Sequence, residues 1–234
     1  MTVVNPIDLE TITLLKGGHD DKTPGEWCFM EAVAYIAGEK WSANPKCACP
    51  VITSFMIGWN DRIGDDETRT RLLAPLLLKV LGTRSTVFVE MERRWMLADW
   101  VVRVVSPIWL RAAGLDADAA MLEALDPIVD RATADAVYAA TRPIRDRAWQ
   151  RRTELRQKLR SAVAVAADAD AADAAAVAAV RSQVWNETYD KVYRETYDRL
   201  LPICRERFAG TIAIVEQSAV ELVEHLCEMG KTAA

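Results

Sequence analysis

Long apolar runs are missing from this chain: no stretch approaches the roughly 20 continuous apolar residues that a bilayer-spanning helix requires, so no membrane partner is expected. The opening residues, Met1 to Glu10, carry neither a basic leader nor a signal-like apolar run, and a cytoplasmic location is expected. Histidine is scarce, at 2 in 234 residues, and cysteine numbers 5, an odd total split between a cluster and the separate Cys204 and Cys227. That is not a secreted disulfide framework; thiols in a reducing compartment are expected. A phosphate-binding glycine loop, a dinucleotide fingerprint and a zinc-protease helix are all absent. Positive charge is in the minority, and a formal net charge of -5 argues against wholesale coating of nucleic acid. Glycine is missing altogether between Gly114 and Gly210, a gap of 95 residues that is unusual outside helical structure.

What remains is 51% apolar and 27% charged, the balance of an ordinary globular protein, in a chain long enough to bury a sizeable core. No run alternates with period two, so the fold class read from the sequence is all-α. It divides into a Trp- and Cys-rich helical part, residues 1–114, and a long-helix part, residues 115–234, packed on the first as one unit. In the first part, Thr23-Pro24-Gly25-Glu26 fits a capping box and predicts a helix from Pro24 to Ala37 that stops at Gly38. Pro50 starts another, with Val51, Ile52, Phe55, Met56 and Trp59 at helical spacing. Leu72, Leu73, Leu76, Leu77, Val80 and Leu81 continue the pattern through a kink at Pro75, and Ser85 to Val105 forms a helix closed by Ser106-Pro107.

The second part reads as long Ala-rich helices packed as a hairpin or bundle. Ser161 to Val180 holds twelve alanines, four valines and three aspartates, a strong helix former with little bulk to bury. Trp185, Tyr189, Tyr193 and Tyr197 then recur every four residues, as an aromatic stripe packed on a neighbouring helix would. Between Arg142 and Arg160 the charge is uneven: seven arginines and one lysine face only Asp146 and Glu154. Arg145, Arg151, Arg152 and Arg156 are therefore candidates for contacting phosphates, against the commoner outcome of a solvated helix face.

Groups capable of chemistry concentrate near the N-terminus, in His19, Cys28, Glu31, Cys47 and Cys49. In a helix begun at Pro24, Cys28 lies in the second turn with Glu31 three residues on, sharing its face. Cys47-Ala48-Cys49-Pro50 ends at a helix start, where amides and the helix dipole favour thiolate. His19, Cys28, Cys47 and Cys49 make a chemically sound tetrahedral set for zinc, although H-x8-C-x18-C-x-C is not a standard finger spacing. No other cofactor is expected. In that zinc reading Glu31 could replace one ligand or orient His19. In a thiol hydrolase or transferase, Cys28 would be the nucleophile and His19 its base, with Glu31 a further candidate. The third reading makes the cysteines small core hydrophobes.

Gly25-Glu26-Trp27-Cys28-Phe29-Met30-Glu31-Ala32-Val33-Ala34-Tyr35-Ile36-Ala37-Gly38-Glu39, Cys47-Ala48-Cys49-Pro50, Trp59-Asn60-Asp61 and Leu81-Gly82-Thr83-Arg84 resemble motifs of a family of actinobacterial and actinobacteriophage helical proteins. The resemblance runs over nearly the whole length and implies a phage or host actinobacterial setting without implying any chemistry. It supports His19, since members carry Gly-Ser-His where Gly17-Gly18-His19 stands, and weakens Cys49, which relatives often replace with serine. The function expected is a non-enzymatic intracellular helical interaction protein, phage-encoded or phage-related, with another protein as its partner. The alternatives are a zinc- or thiol-dependent protein built on the His19/Cys28 cluster, a nucleic-acid-associated regulator using residues 142–160, and self-association.

Overall fold

The computed structural model describes residues 5–9, 11–19, 26–175 and 184–230, with side chains throughout these except at 26, 155–156 and 158–205. The fold is all-α apart from two dipeptide strands, β1 (Thr13–Leu14) and β2 (Glu26–Trp27), which pair in parallel with Thr13 opposite Glu26 and Leu14 opposite Trp27. Two residues per strand is too short for an alternating pattern to register in the sequence.

That pairing moves the first helix. α1 (Phe29–Ile36) begins five residues later than the expected Pro24, because Glu26 and Trp27 are held extended against β1. The expected box at Thr23, Pro24 and Gly25 lies outside the described residues. The capping box of α1 is formed by Cys28 and Glu31: the Glu31 carboxylate accepts the Cys28 amide at 2.9 Å while the Cys28 sulfur receives the Glu31 amide. Cys28 is thus the residue before the helix, not part of its second turn. The stop is where the sequence placed it. Gly38, at φ 68°, follows the last turn, its amide bonding Tyr35 O and that of Glu39 bonding Ala34 O, the two bonds of a Schellman motif.

α2 (Pro50–Arg62) starts on proline, whose missing N–H is harmless at the first helical position. α3 (Asp66–Leu73) is capped by Asp65, which accepts the Thr68 amide at 2.8 Å. Pro75 falls in the 3-10 turn Ala74–Leu76 that joins α3 to α4 (Leu77–Val80). α5 (Val87–Trp100) is capped by Thr86, which accepts the Val89 amide. The helix does not close at Ser106-Pro107: a π turn, Val101–Val105, carries it into α6 (Ser106–Ala112). The wider turn bonds i to i+5, so the proline ring escapes the carbonyl it would strike in a regular helix. Gly114, at φ 75°, ends α6, and α7 (Asp116–Glu123) precedes two helices of 45 residues each, α8 (Arg131–Ala175) and α9 (Val184–Glu228). The Ala-rich packing of 161–180 and the aromatic stripe at Trp185, Tyr189, Tyr193 and Tyr197 concern side chains outside the described residues.

The main core joins Phe29, Met30 and Ile36 of α1 to Ile52 and Met56 of α2 and to Leu73, Leu76, Leu77 and Val80. It is completed from the far end of the chain, by Leu222, Val223 and Leu226 of α9. A second cluster sets Leu110 of α6 and Ala119 and Leu122 of α7 against Ile144 of α8.

Candidate functional site

Of the five N-terminal candidates, the fold brings three together around one carboxylate. Glu31 is 3% exposed and sits on the third residue of α1. Its Oε2 accepts the Cys28 amide and lies 3.0 Å from His19 Nδ1, while Oε1 accepts the His19 amide at 2.8 Å. The loop that carries His19 is held from other sides as well: Trp41 Nε1 donates to His19 O at 2.8 Å, and Asp61 accepts the Gly17 amide at 3.0 Å. Nδ1 donates to the carboxylate, so in the neutral ring Nε2 would be the acceptor. The imidazole is partly exposed, so the His19–Glu31 pair has the arrangement of an oriented base.

The thiol beside it is not an activated nucleophile. Burial pushes Cys28 up to about 12, and the neighbouring Glu31 charge adds to the rise against the opposing Glu31 amide. Cys47 behaves alike: burial and the Glu39 carboxylate raise it to about 11, opposed by the Gly82 backbone. The expected thiolate-favouring field at the start of α2 is outweighed at Cys47 by desolvation. Cys28, Cys47 and Cys49 are buried and outside any disulfide.

Cys47 and Cys49 stand apart from Glu31 in their bonding. Glu39 grips the Lys46 and Cys47 amides at 2.6 and 2.7 Å, and the Thr83 hydroxyl accepts the Cys49 amide at 3.0 Å while donating to Val80 O. The tetrahedral set His19, Cys28, Cys47 and Cys49 is not assembled: among the described residues no three His, Cys, Asp or Glu side chains are grouped so as to hold a metal ion. The C-x-C segment instead lies in the apolar core, its thiols packed among aliphatic side chains.

Reactivity follows from these values. A thiol near 12 is thiolate in about one molecule in ten thousand at pH 8, against roughly one in ten for an ordinary cysteine. Iodoacetamide at pH 8 is expected to label the folded chain more slowly than the chain in urea, by about a thousandfold at Cys28 and about a hundredfold at Cys47, read by peptide mass spectrometry. The rate should keep climbing above pH 9 instead of levelling there. Labelling of native Cys28 at the free-cysteine rate would restore it as a nucleophile.

A second site has no counterpart in the sequence reading. α6 with its π turn, α7 and the start of α8 line a groove of about 680 Å³ that is open to solvent. Its lining is mainly apolar, with Leu110, Leu122 and Ile144 buried, Val102 and Val105 half-buried and Trp109 exposed beside Phe208 of α9, and it includes Arg145, Arg151 and Arg152. No family model, curated protein or solved structure matches the chain. Geometry alone therefore sorts the basic run. Arg147 is committed to Asp118, with bonds of 2.6 and 3.0 Å that tie α8 to α7. Arg145 stacks on Tyr138, Arg152 on Trp149, and Arg151 faces Glu154 at 3.4 Å. The side chain of Arg156 lies outside the described residues. The run is thus no uniform phosphate-facing stripe: three of its arginines border an apolar slot. The available signal was Val102, Val105 and Trp109 continuing the helical period past Ser106-Pro107, which the proline rule concealed.

Proposed function

We propose that this chain is a non-enzymatic interaction protein that works inside the cell, in the phage-related setting the sequence resemblance implies, by receiving another protein in the groove between α6 and α8. The groove is the observation that carries the reading. An open slot of about 680 Å³ with a mainly apolar lining that includes three arginines is the form of a binding site, since apolar surface so concentrated is stabilised by a cover. The buried Cys28 and Cys47 thiols, pushed up by burial, speak for the cysteines as core residues rather than reagents.

The test blocks the slot without disturbing the main core. Ala148, half-buried beside Ile144, is replaced by tryptophan in the full-length chain, and tagged wild-type and A148W proteins are recovered from the same cells. With an unchanged helical spectrum and melting curve, the variant is expected to lose its co-purifying protein about tenfold, as filling a pocket with a bulky ring removes more than 1.4 kcal/mol of binding. Equal recovery by both proteins counts against the groove as the site of partner binding.

A further inference from the structure

The groove has its long walls on the continuous π turn and α6, from Val102 to Ala113, and on α8, from Thr141 to Arg152. Twelve residues of helix span eleven rises, roughly 16 Å, so the slot is about three helical turns long. It is open to solvent. A small apolar ligand lying in it would leave a broad flank in water, whereas small-molecule sites enclose about 70–90% of their ligand. An amphipathic helix has the opposite requirement, needing one apolar face covered and its back solvated.

Charge narrows the occupant further. Arg152 lies 4.9 Å over the Trp149 ring and, among the described residues, has no carboxylate at salt-bridge distance. Among the described residues Arg151 meets the exposed Glu154 of its own helix at 3.4 Å, an exchangeable pair of little net strength. Arg145 lies over Tyr138 and donates to its hydroxyl at 3.5 Å, with Asp146 at 3.9 Å. The stacked Arg152 keeps its fork free for a carboxylate, and Arg145 keeps the donors not given to Tyr138. Arg145 and Arg152 are seven residues apart, two turns of one helix, so matching acidic groups would recur at that interval on a partner helix.

We propose that the groove receives an amphipathic helix of a partner protein that lays apolar side chains on Val105, Trp109 and Ile144 and presents acidic side chains to Arg145, Arg151 and Arg152. This rests on the interaction reading above and adds the shape and charge of the partner. A nucleic acid would find the same arginines but an apolar lining unsuited to a phosphate backbone.

The probe is a displayed library of helical peptides about four turns long, with fixed Leu and Phe anchors at i, i+4 and i+7 and random residues flanking them. Selection on the full-length protein is expected to enrich Asp and Glu at the flanks. The charge-reversed Arg145→Glu/Arg152→Glu protein should bind those winners about tenfold more weakly and select Lys and Arg instead. No acidic enrichment, winners indifferent to the reversal, or displacement of the winners by palmitate or a short DNA duplex at lower concentration would each overturn the proposal. The outcomes separate the two claims. If A148W abolishes partner recovery but charge reversal changes nothing, the interaction reading stands and the acidic-helix partner falls; if A148W changes nothing, the groove reading falls with it.

Discussion

A chain stopped after Ser218 is expected to lose cooperative folding altogether, although the residues removed lie about 140 positions beyond the segment that supplies the rest of the main core. The reason is where α9 ends. Leu222, Val223, Leu226 and Cys227 are 5%, 0%, 0% and 1% exposed and lie in the same cluster as Phe29, Met56 and Leu77. At about 1.5–3 kcal/mol for each buried aliphatic side chain, three of them supply about 5–8 kcal/mol, comparable to the whole stability of a typical domain. The polar side of the contact fails at the same time. Arg93, 1% exposed, donates to Thr83 O and, at 2.6 Å, to Met229 O, so truncation leaves a buried guanidinium with half its partners gone. Gly230, at φ 85°, passes so close to α5 that a Cβ there would meet Val89 Cγ1 at 3.2 Å, so the last turn is fitted to this surface. A single-site version, Leu226→Ala, should cost about 3–4 kcal/mol. Circular dichroism melts check both: a truncated chain that still unfolds in one sharp transition would show that α9 merely leans on a core complete without it.

This dependence explains which features the sequence disclosed. Local rules sufficed where a residue's own geometry decides: Pro50 at a helix start, Gly38 at a helix end, Pro75 at a break, and long helices across the glycine-free stretch. They failed where a distant segment decides. The start of α1 was displaced by pairing with β1, and the return of α9 to the core joins Val223 to residues more than 140 positions earlier. The Ser106-Pro107 rule failed for another reason, a π turn that lets a helix continue through proline. Arginine reads as surface, yet Arg69 and Arg93 are 1% exposed. Arg69 donates to Asn60 O, Ile63 O and Leu14 O, binding β1 to both ends of the α2–α3 connection. Polar residues in the resembled motifs are tethers of the same kind: Asn60 donates to Leu15 O and accepts the Phe29 amide, and Thr83 holds the Cys49 amide. Cys28 and Glu31 were readable as a pair because they are three residues apart. That Glu31 serves chiefly backbone amides was not, since amides carry no signature in sequence.

The balance between tether and chemistry at Glu31 is measurable. Glu31→Ala is expected to destabilise the chain by about 3–5 kcal/mol, because it strands the His19 and Cys28 amides and deletes a buried charge that both of them complete. Glu31→Gln keeps the shape, but its amide nitrogen must face an N–H donor on one side, so a loss of about 2–3 kcal/mol is expected. His19→Ala should cost only about 1 kcal/mol, since the backbone N–H of residue 19 still donates to Oε1 and only the partly exposed ring contact at 3.0 Å is lost. Urea unfolding of the three variants checks the order. A tether predicts Glu31→Ala far below His19→Ala, with the slope of the transition unchanged. If His19→Ala and Glu31→Ala were equally and only slightly destabilising, the amide bonds would contribute little to the fold. The buried carboxylate would then have to be explained by what it does to the imidazole, and the His19–Glu31 pair would again become the first place to look for chemistry.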